Sequence, residues 1–516
     1  MEDVLIVGYG PVGQVLSLLL AQQGRRVTVV ERWEKAYPMP RAVAFDSEAA
    51  RILAAAGLGS LINRVGEPSG EYTWTNAAGE TLLHIDVAEV GHCWWPESTS
   101  MYQPGLEAAM EARGKTLPNL SVLRGERVVE LDDLGDHVRV VTDARELSAR
   151  WVVGCDGANS FVRNRIGTAM HDLEFAHDWL ICDVREQRPA KHKPNNLQVC
   201  DPARPRTSVS AGPGHRRWEF MRVASDSAAE FNTAETAWKL LGEVGVSPDE
   251  AILERHHVYT FGAAYADRWR DGRLLIAGDA AHVMPPFAGQ GMSSGFRDAA
   301  ALSWRLDAVL AGEADERVLD SYTEERREHV KHAITMSVNL GRIICQTDPG
   351  AASDRDQVML AMAKRPAPAS AQRSAIRPLS AGFRAAGSPA GDLMPQGRVA
   401  DSTGTRLFDE VAGHGFVLLT LDAPPDGLPI RAIQLTDDAL RDVDGVYASY
   451  FARTGTRALL IRPDFYVYGG ATDRDGARSL VEQLQADLLG PRAGSEQDRR
   501  VGSGAGTPGK AWSAPA

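Results

Sequence analysis

The chain has few cysteines, and none has a metal-binding or redox spacing. Five occur in 516 residues, at positions 93, 155, 182, 200 and 345, and no two of them form a CxxC pair. A scattered, odd-numbered set argues against a disulfide framework and against a zinc site. We therefore expect no bound metal, and reduced thiols in the cytoplasm.

Long hydrophobic runs are also missing. The apolar run 15–21 ends at Gln22, and it is far shorter than the roughly 20 residues that span a bilayer. We therefore expect neither a membrane segment nor a secretory signal.

Positive charge is in the minority. Lys and Arg number 56 against 68 Asp and Glu, which gives a formal net charge of −12. Nucleic acid is not an expected partner, because a phosphate backbone needs a basic protein face. The apolar content of 44% and the charged content of 24% are ordinary for a globular protein. The length predicts two to four domains.

The first thirty residues have the pattern of one βαβ unit. Residues 4–7 form an apolar run typical of a buried parallel strand, and 12–23 have the pattern of a helix that Gly24 closes. Residues 27–30 are the second predicted strand. The turn between the first strand and the helix is the first candidate binding site.

That turn, residues 8–13, matches GxGxxG. The first glycine permits a tight turn, the second lets a pyrophosphate approach the backbone, and the third lets helix and strand pack closely. The helix start also offers free N–H groups to phosphates. The residues predicted to contact a dinucleotide here are Gly8, Gly10, Pro11, Val12 and Gly13.

An acidic residue, Glu31, ends the second predicted strand. Its carboxylate would accept hydrogen bonds from a ribose 2′-hydroxyl, which disfavours a 2′-phosphate at this site. The fingerprint predicts a dinucleotide but does not separate NAD from FAD.

Two later segments favour FAD. Segment 151–163 (WVVGCDGANSFVR) is a predicted strand followed by Asp156 and Gly157 in a small polar turn. Alone, it is typical of a simple Asp-Gly turn. Segment 274–292 (LLIAGDAAHVMPPFAGQGM) is more specific, because a buried strand delivers Asp279, whose carboxylate can bind ribityl hydroxyls.

The end of segment 274–292 leads into a helix that we expect to start near Met292. Two prolines first force an extended turn, and Gly289-Gln290-Gly291 follows them. Backbone N–H groups at a helix start can face the negative edge of a reduced flavin, which is the stabilisation that flavin chemistry needs.

Together these motifs resemble the group A flavoprotein monooxygenases of the p-hydroxybenzoate hydroxylase fold, and above all the 3-(3-hydroxyphenyl)propionate and phenol hydroxylases. The resemblance runs from residue 4 to about residue 490. Further stretches that carry it are PRAVAFDSE (40–48), Gln103-Pro104, CDPARP (200–205), RRWEFM (216–221), SYTEERR (321–327) and LIRPD (460–464).

The resemblance implies a place at the cofactor for particular residues, and one position departs from it. Ser293 stands where such proteins usually have Asn, so a hydroxyl that can cap or donate replaces an amide near the flavin. The implied contacts are Glu31 and its neighbour Arg32 at the adenosine ribose, Arg41 and Gln103 at the phosphates and ribityl chain, Val128 at the adenine through its backbone, Asp156 with Gly157 near the NAD(P)H groove, Asp279 at the ribityl and pyrophosphate region, and Pro286, Gly289, Gly291 and Met292 around the isoalloxazine.

The fold implied is α/β, with a Rossmann-like FAD-binding domain, an inserted, mostly antiparallel β-sheet substrate domain and a C-terminal thioredoxin-like domain. That last domain lacks CxxC, so we expect a structural or oligomeric role for it, and a homodimer is left open. The predicted division is 1–170 with 268–345 for the discontinuous FAD-binding domain, 171–267 for the substrate domain, 346–394 for a Pro/Ala/Ser/Gly-rich linker, 395–491 for the thioredoxin-like domain and 492–516 for a disordered tail.

The activity implied is hydroxylation of a phenolic or polycyclic aromatic ring. NADH or NADPH would bind transiently and reduce FAD, since no second GxGxxG occurs. O2, activated at C4a of the reduced flavin, would then supply a hydroxyl group to a ring activated by loss of its phenol proton. A small aromatic substrate and O2 are thus the expected partners. Epoxidation or Baeyer–Villiger oxygenation in aromatic polyketide or antibiotic biosynthesis is the alternative, and a flavin-binding protein without turnover is a remote one.

The sequence leaves the group that takes the phenol proton open. His282 lies inside the flavin motif and can titrate near neutral pH, but it could equally hold the turn through a structural hydrogen bond. Tyr259, on a predicted strand of the substrate domain, is the second candidate. Arg204 and Arg217 could bind a substrate carboxylate or form salt bridges within the protein.

Overall fold

A computed structural model describes residues 1–36, 41–87, 89–188, 192–364 and 377–490. The predicted tail 492–516 lies outside the described residues, as do Pro40 and residues 365–376 of the predicted linker. The described chain forms three main sheets with helices packed between and around them.

The first sheet, here called the cofactor sheet, has eight strands around a parallel core. Five neighbouring strands run parallel, and at its centre Val4, Leu5 and Ile6 are fully buried. Such a continuous apolar run is what a parallel sheet covered on both faces requires. The order is Arg270–Asp271, Leu274–Ile276, Glu146–Gly154, Glu2–Val7, Val27–Glu31 and Leu120–Arg124, while Val138–Thr142 pairs with Glu146–Gly154 and also with Val128–Asp133.

Three helices dominate the cofactor domain. The first helix, Pro11–Gln22, packs against the central helix, Gly291–Ala311. The long helix, Asp320–Ile344, follows after a short turn. The chain from 291 to 344 forms two long helices rather than one, because Gly312 ends the first of them in the left-handed conformation at φ 75°.

The second sheet, here called the substrate sheet, has seven strands, antiparallel except for one pair. Five come from the predicted substrate domain 171–267, but two come from the hairpin 71–86, so that boundary prediction was incomplete. The hairpin joins the sheet through a parallel pairing with strand Asn196–Cys200. Because the two strands are more than 100 positions apart, nothing in the local sequence indicates that they pair. The order is Ala251–Phe261, His177–Glu186, His215–Met221, Arg206–Ser210, Asn196–Cys200, Glu71–Asn76 and Thr81–Asp86.

The two faces of the substrate sheet differ because side chains alternate along each strand. On the outer face, Leu180 and Cys182 belong to a small apolar core together with residues of helix Ala234–Glu243. On the opposite face, Trp179 and Ile181 belong to the main core shared with the cofactor domain. We call this second face the inner face.

The predicted linker 346–394 contains a helix, Pro349–Ala363. Asp348 caps it by accepting the N–H of Ala351, and Pro349 occupies its first turn, two start signals that the Pro- and Ala-rich composition obscured. Arg355 donates a 2.7 Å hydrogen bond to the carbonyl of Cys200, which attaches the helix to the substrate sheet.

The C-terminal unit is built on a four-stranded sheet. Its first two strands are parallel and the other pairs antiparallel. The last helix is Arg474–Leu489, and Asp473 caps its start by accepting the N–H of Gly476. The thioredoxin-like character of this unit stays a prediction. The strand order is Arg431–Gln434, Val417–Thr420, Ala458–Ile461 and Val467–Ala471, and the other main helix is Val446–Thr454.

Shorter elements complete the fold, and no helix in the described ranges is both long and apolar enough to cross a membrane. Three small sheets are formed by Ala44–Asp46, Ser98–Met101 and Gly66–Pro68, by Met170–Asp172, Ala264–Ala266 and His282–Val283, and by Gly404–Leu407, Arg398–Asp401 and Arg441–Asp442. The remaining helices are Ser47–Leu53, Ile62–Val65, Gln103–Gly114, Phe161–Ile166, Ala228–Phe231 and Phe408–Ala412, and the single turns are Ala54–Leu58, Gly59–Leu61, Gly278–Ala280, Pro286–Ala288 and Glu316–Leu319.

Candidate active site

The glycine turn lies at the carboxyl end of the central strand of the cofactor sheet. Gly8 has φ 101°, and a Cβ there would stand 2.4 Å from the carbonyl oxygen of Cys155. A Cβ on Gly13 would stand 2.2 Å from the carbonyl oxygen of Gly8, whereas one on Gly10 would meet nothing within 4 Å. The fold therefore excludes side chains at the first and third glycines and leaves open space at the second.

No side chain caps the first helix. Its N-cap is Gly10, and Pro11 at its first position has no N–H group. The N–H groups of its first turn are thus left for a ligand, and the helix dipole favours an anion there. Val12 packs on a later motif, since a Cβ on Gly278 or Gly295 would lie 2.9 or 2.4 Å from its side chain.

Glu31 closes the other side of this turn. One carboxylate oxygen accepts the N–H of Tyr9 at 2.7 Å, and the other accepts the N–H of Trp33 at 2.9 Å. Each oxygen keeps a further lone pair for a ribose hydroxyl. Arg32 is exposed, and its guanidinium carbon lies 5.3 Å from the centroid of a Trp33 ring.

Val128 lies close to the same end of the sheet. It begins a strand two residues after Glu126, whose N–H donates to the carbonyl oxygen of Glu31 at 3.1 Å. The side chain of Val128 is buried, so its backbone is the part that a ligand beside Glu31 could meet.

The structure brings Arg41, Gln103 and Asp279 together. The Arg41 guanidinium stands 3.3 Å from the Asp279 carboxylate, with side-chain exposures of 56% and 42%. Gln103, the first residue of a helix, accepts the N–H groups of Arg41 and Ala42, both at 2.8 Å, and donates to Glu107 at 2.7 Å. Gln103 therefore positions the Arg41 segment, while Arg41 and Asp279 offer charged groups to a ligand.

Asp156 is engaged by its own turn. Its carboxylate accepts the N–H groups of Phe161 at 2.7 Å and Val162 at 3.2 Å, together with the hydroxyl of Ser160. Burial raises the pKa of Asp156, against the pull of these donors. With Gly157 at φ 81°, Asp156 shapes a turn that packs on the glycine fingerprint. Its place near an NAD(P)H groove stays a prediction.

The third motif forms a sharp approach to the central helix. The turn Pro286–Ala288 is followed by Gly289 in the left-handed region at φ 63°, and the helix begins at Gly291. Its N-cap, Gln290, makes no capping hydrogen bond with its side chain. The N–H groups around Met292 are therefore available to an anionic edge of a bound ligand.

Side chains behind this helix start fix it, and sequence reasoning missed them. Gln290 donates to Asp46 at 3.1 Å and accepts from Arg297 at 3.1 Å, and Arg297 also pairs with Glu48 at 2.6 Å. Ser293 is buried and its hydroxyl accepts the N–H of Asp46 at 3.3 Å, so it faces the protein. Asp46 and Glu48 lie more than 240 positions from Gln290, Ser293 and Arg297 in the sequence, which leaves no local signal for these contacts.

His282 belongs to a buried hydrogen-bond network centred on Asp298. Its Nε2 stands 2.7 Å from a carboxylate oxygen of Asp298, with side-chain exposures of 1% and 0%. Asp298 also accepts the N–H of Gly278 at 3.0 Å and a guanidinium N–H of Arg326 at 2.8 Å. Burial acts to raise the pKa of Asp298, but the histidine and the arginine lower it overall. This arrangement favours the structural alternative for His282.

The inner face of the substrate sheet approaches the cofactor segments at two points. Trp179 and Phe261 pack on Phe287, with ring centroids 5.7 and 5.8 Å apart. Further along, Arg217 donates to the carbonyl oxygen of Arg41 at 2.7 Å. We call the surface between these contacts the inner strip. A ring bound beside the flavin segments would face it, and it carries Ile181, Glu219, His257 and Tyr259.

Tyr259 lies on the inner strip, and its role at the substrate stays a prediction. Its hydroxyl accepts from Arg255 at 3.0 Å. Asp183 binds both Arg255 and Arg217, with Nε–O distances of 2.8 and 2.6 Å. At this end of the inner strip, the carboxylate of Asp183 therefore lies between the guanidinium groups of Arg217 and Arg255.

Arg204 and Arg217, predicted to bind a substrate carboxylate or to form internal salt bridges, both form internal pairs. Arg204 stands 2.7 Å from Asp226 on the outer side of the domain, and Arg217 stands 2.6 Å from Asp183. A cavity of about 130 Å³ remains between the Arg41 segment and the inner face, where Tyr102 and Arg217 are among its walls.

Comparison with known proteins identifies the family. Residues 1–337 match the family described as FAD binding domain. A probable NADH-specific resorcinol 4-hydroxylase of Rhodococcus jostii (strain RHA1) is 38% identical over 511 residues, 94% of each chain. The chain belongs to the FAD-dependent aromatic hydroxylases. The hydroxylase is also 34% identical over 433 residues to a 3-(3-hydroxy-phenyl)propionate/3-hydroxycinnamic acid hydroxylase of Mycolicibacterium gilvum (strain PYR-GCK), over 81% of this chain and 75% of the relative.

The solved structure of aklavinone-11 hydroxylase with FAD and aklavinone shares the fold. Its TM-score is 0.76 at 22% identity, over 95% of this chain and 99% of that chain. The predictions of an α/β FAD-binding fold, of FAD as cofactor with NAD(P)H as reductant, and of monooxygenase activity are confirmed. The described residues fit FAD, because Gly10 is open, the start of the first helix is uncapped, and the half-exposed Asp279 follows Gly278, which packs on Val12 of that helix.

Proposed function

We propose that this hydroxylase oxygenates a small, uncharged phenol of the resorcinol type and uses NADH as its reductant. The relative that is 38% identical over 94% of both chains, described as NADH-specific and acting on resorcinol, supports the substrate and the reductant. Bound FAD supplies the electron storage and O2 activation that no amino-acid side chain provides. The observation that carries the substrate class is the pairing of Asp183 with two arginines.

A carboxylate-bearing substrate would need an available cation on the inner face. Arg217 and Arg255 are instead both held by the buried carboxylate of Asp183. A substrate carboxylate would have to break these pairs, and separating a buried ion pair costs about 3–5 kcal/mol. A ring that carries only hydroxyl groups avoids this cost.

The rest of the inner strip suits such a ring. Trp179, Phe261 and Phe287 form an aromatic wall at one end, which would keep water from the reacting carbon. His257 and Tyr259 stand side by side with ring centroids 4.8 Å apart, and both are partly exposed. They offer polar groups to phenol hydroxyls within an apolar setting.

The test is a substrate comparison on purified yellow protein. NADH oxidation and product mass are measured with resorcinol and with 3-(3-hydroxyphenyl)propionate. We expect resorcinol to speed NADH oxidation, to gain one oxygen, and to exceed the acid in kcat/KM by at least about tenfold, which corresponds to about 1.4 kcal/mol. Preference for the acid would contradict the proposal.

Asp183→Asn provides the matched variant. Because it releases the two arginines from their shared carboxylate, it should shift kcat/KM toward the acid relative to resorcinol. An unchanged ratio in a variant that still retains FAD would show that the Asp183 pairing does not set the substrate class.

We also propose a cytoplasmic location and a division into the predicted domains, with the hairpin 71–86 assigned to the substrate domain. All five cysteines are free, as is typical of a reducing compartment. The mixed pairing of the C-terminal sheet supports a thioredoxin-like unit there. A homodimer stays a prediction, and light scattering after gel filtration measures it.

A further inference from the structure

Glu219 is a carboxyl group on the inner strip for which the fold provides no partner. Only 7% of the residue is exposed. Among the residues that the structure describes, no donor lies within hydrogen-bond distance of its carboxylate, and no cation lies within 4.0 Å. Buried carboxyl groups are normally paired, because an isolated buried charge is costly. An unpaired one beside a cofactor site therefore indicates a ligand or a chemical role.

The position of Glu219 is fixed by the contacts at the two ends of the inner strip. Two residues before it on the same strand, Arg217 makes the contact with the Arg41 segment. Two residues after it, Met221 pairs across the sheet with Trp179, which packs on the Phe287 turn. The Glu219 side chain therefore lies on the inner face, between the contact of Arg217 with the Arg41 segment and the contact of Trp179 with the Phe287 turn.

The charges around Glu219 set its protonation. Its pKa is raised to about 7, chiefly by burial and also by Asp183, while Arg217 and Arg255 oppose the rise. A carboxyl group that titrates near neutral pH is suited to take up and release protons. The titratable and charged groups that act on Glu219, respond to it or share its face of the sheet are Arg217 and His215 on its own strand, His177, Cys182 and Asp183 on the next, Arg255, His257 and Tyr259 beyond that, and Tyr72 on the hairpin.

We propose that Glu219 takes the phenol proton of the bound substrate, an assignment that rests on the proposed function. The phenol O–H bond breaks, its electron pair stays on the phenol oxygen, and the proton forms an O–H bond with a Glu219 carboxylate oxygen. One anion disappears as another forms, so the site gains no buried charge in this step. The phenolate that results is the electron-rich ring that oxygenation requires.

The first test is the pH profile of the FAD-loaded enzyme with resorcinol. The carboxylate accepts a proton only when ionised, so wild-type kcat/KM should rise with pH and level off, with a midpoint near 7. Glu219→Gln should retain FAD, lower kcat by about 100-fold or more, and lose this midpoint. Glu243→Gln, exposed on helix Ala234–Glu243, is the matched control and should keep the wild-type profile.

The second test is rescue by a substrate that needs no base. A nitro-substituted resorcinol that is already ionised near neutral pH should bring Glu219→Gln to within a few-fold of the wild type, whereas a merely structural role for Glu219 predicts no rescue. A wild-type midpoint and rate in Glu219→Gln, or absence of rescue, would overturn the assignment.

If Glu219→Gln does not fold or does not retain FAD, Glu219→Asp serves as the second variant. A shortened carboxyl should keep a pH midpoint at a reduced rate and should also be rescued by the ionised substrate, and loss of the midpoint would overturn the assignment. A wild-type enzyme that does not oxygenate resorcinol at all would instead contradict the proposed function. The two failures are thus distinguishable.

Discussion

Two regions of the molecule are held together by opposite means. One is the cofactor cradle, formed by the glycine turn 8–13 and the start of helix Pro11–Gln22. The other is the junction, where Arg305 and Glu325 of the cofactor domain meet Arg462 and Asp464 of the C-terminal unit. In the cradle, Gly8 and Gly13 lack side chains so that backbone can approach backbone, and a Cβ on either would collide with a carbonyl oxygen. In the junction, charged side chains fill the space. Arg462 binds both carboxylate oxygens of Glu325, at 2.7 and 2.8 Å, and Arg305 stands 3.0 Å from the same group.

The side chains of the junction are as buried as those of a hydrophobic core although they are charged. Arg305, Glu325, Arg462 and Asp464 have side-chain exposures of 3% or less, and Trp304 donates to Asp464 at 2.9 Å. Buried ion pairs of this kind contribute specificity of docking and are costly to break singly. Contiguous motifs therefore determine local backbone geometry, whereas the packing of distant segments depends on partners that are spread along the chain.

The largest expected effect is in the cradle. In Gly13→Ala the new Cβ would lie 2.2 Å from the Gly8 carbonyl oxygen, so the helix must move away from the strand and the phosphate site is lost. We expect colourless protein by flavin absorbance. Gly242→Ala is the matched control, because a Cβ at this helix position meets nothing within 4 Å. Yellow Gly13→Ala protein with a normal flavin ratio would break the account of the cradle.

The second-largest expected effect is a loss of folding stability when a buried charge of the junction is removed. Arg462→Met leaves Glu325 with one fewer buried partner, and we expect it to lower the free energy of unfolding by about 3–5 kcal/mol, measured by urea titration. Arg457→Met, at an exposed pair with Asp422 in the same unit, should change the free energy of unfolding far less, because solvent screens that pair. Equal effects of the two variants would remove the distinction between docked and surface charges.

A smaller effect is the response of the junction to acid. Burial acts to raise the pKa of Glu325, but Arg305 and Arg462 lower it below the usual 4.5. Since the folded pKa lies below the unfolded one, the stabilisation is complete above 4.5 and is lost as the pH falls. The thermal midpoint of the wild type should therefore drop more steeply below that pH than that of Glu325→Gln. Parallel curves would contradict this linkage.

The part of the site that the sequence predicted is the part that is local. The glycines at 8, 10 and 13, the acid at Glu31 and the turn from Pro286 to Met292 stand in short stretches that a residue pattern can identify, and the FAD assignment drawn from them is confirmed. Residue types and their spacing were therefore sufficient evidence for the cofactor.

The parts that sequence did not predict depend on distant partners. The place of Gln103 at the cofactor stays a prediction, but the hydrogen bonds that its amide accepts from backbone 62 positions away had no signal in the sequence. The hairpin 71–86 joins a sheet whose next strand begins at Asn196. Nothing near Glu219 in the sequence marks it as unpaired, because that depends on Asp183 occupying both arginines from another strand.

The measurement that tests the central claim most directly is oxygen incorporation. The FAD-loaded enzyme is supplied with NADH, resorcinol and isotopically labelled O2, and the product is analysed by mass spectrometry. The account predicts one labelled oxygen atom in the ring product for each NADH consumed. Oxygen derived from water, or consumption of O2 with hydrogen peroxide as the sole product, would contradict it.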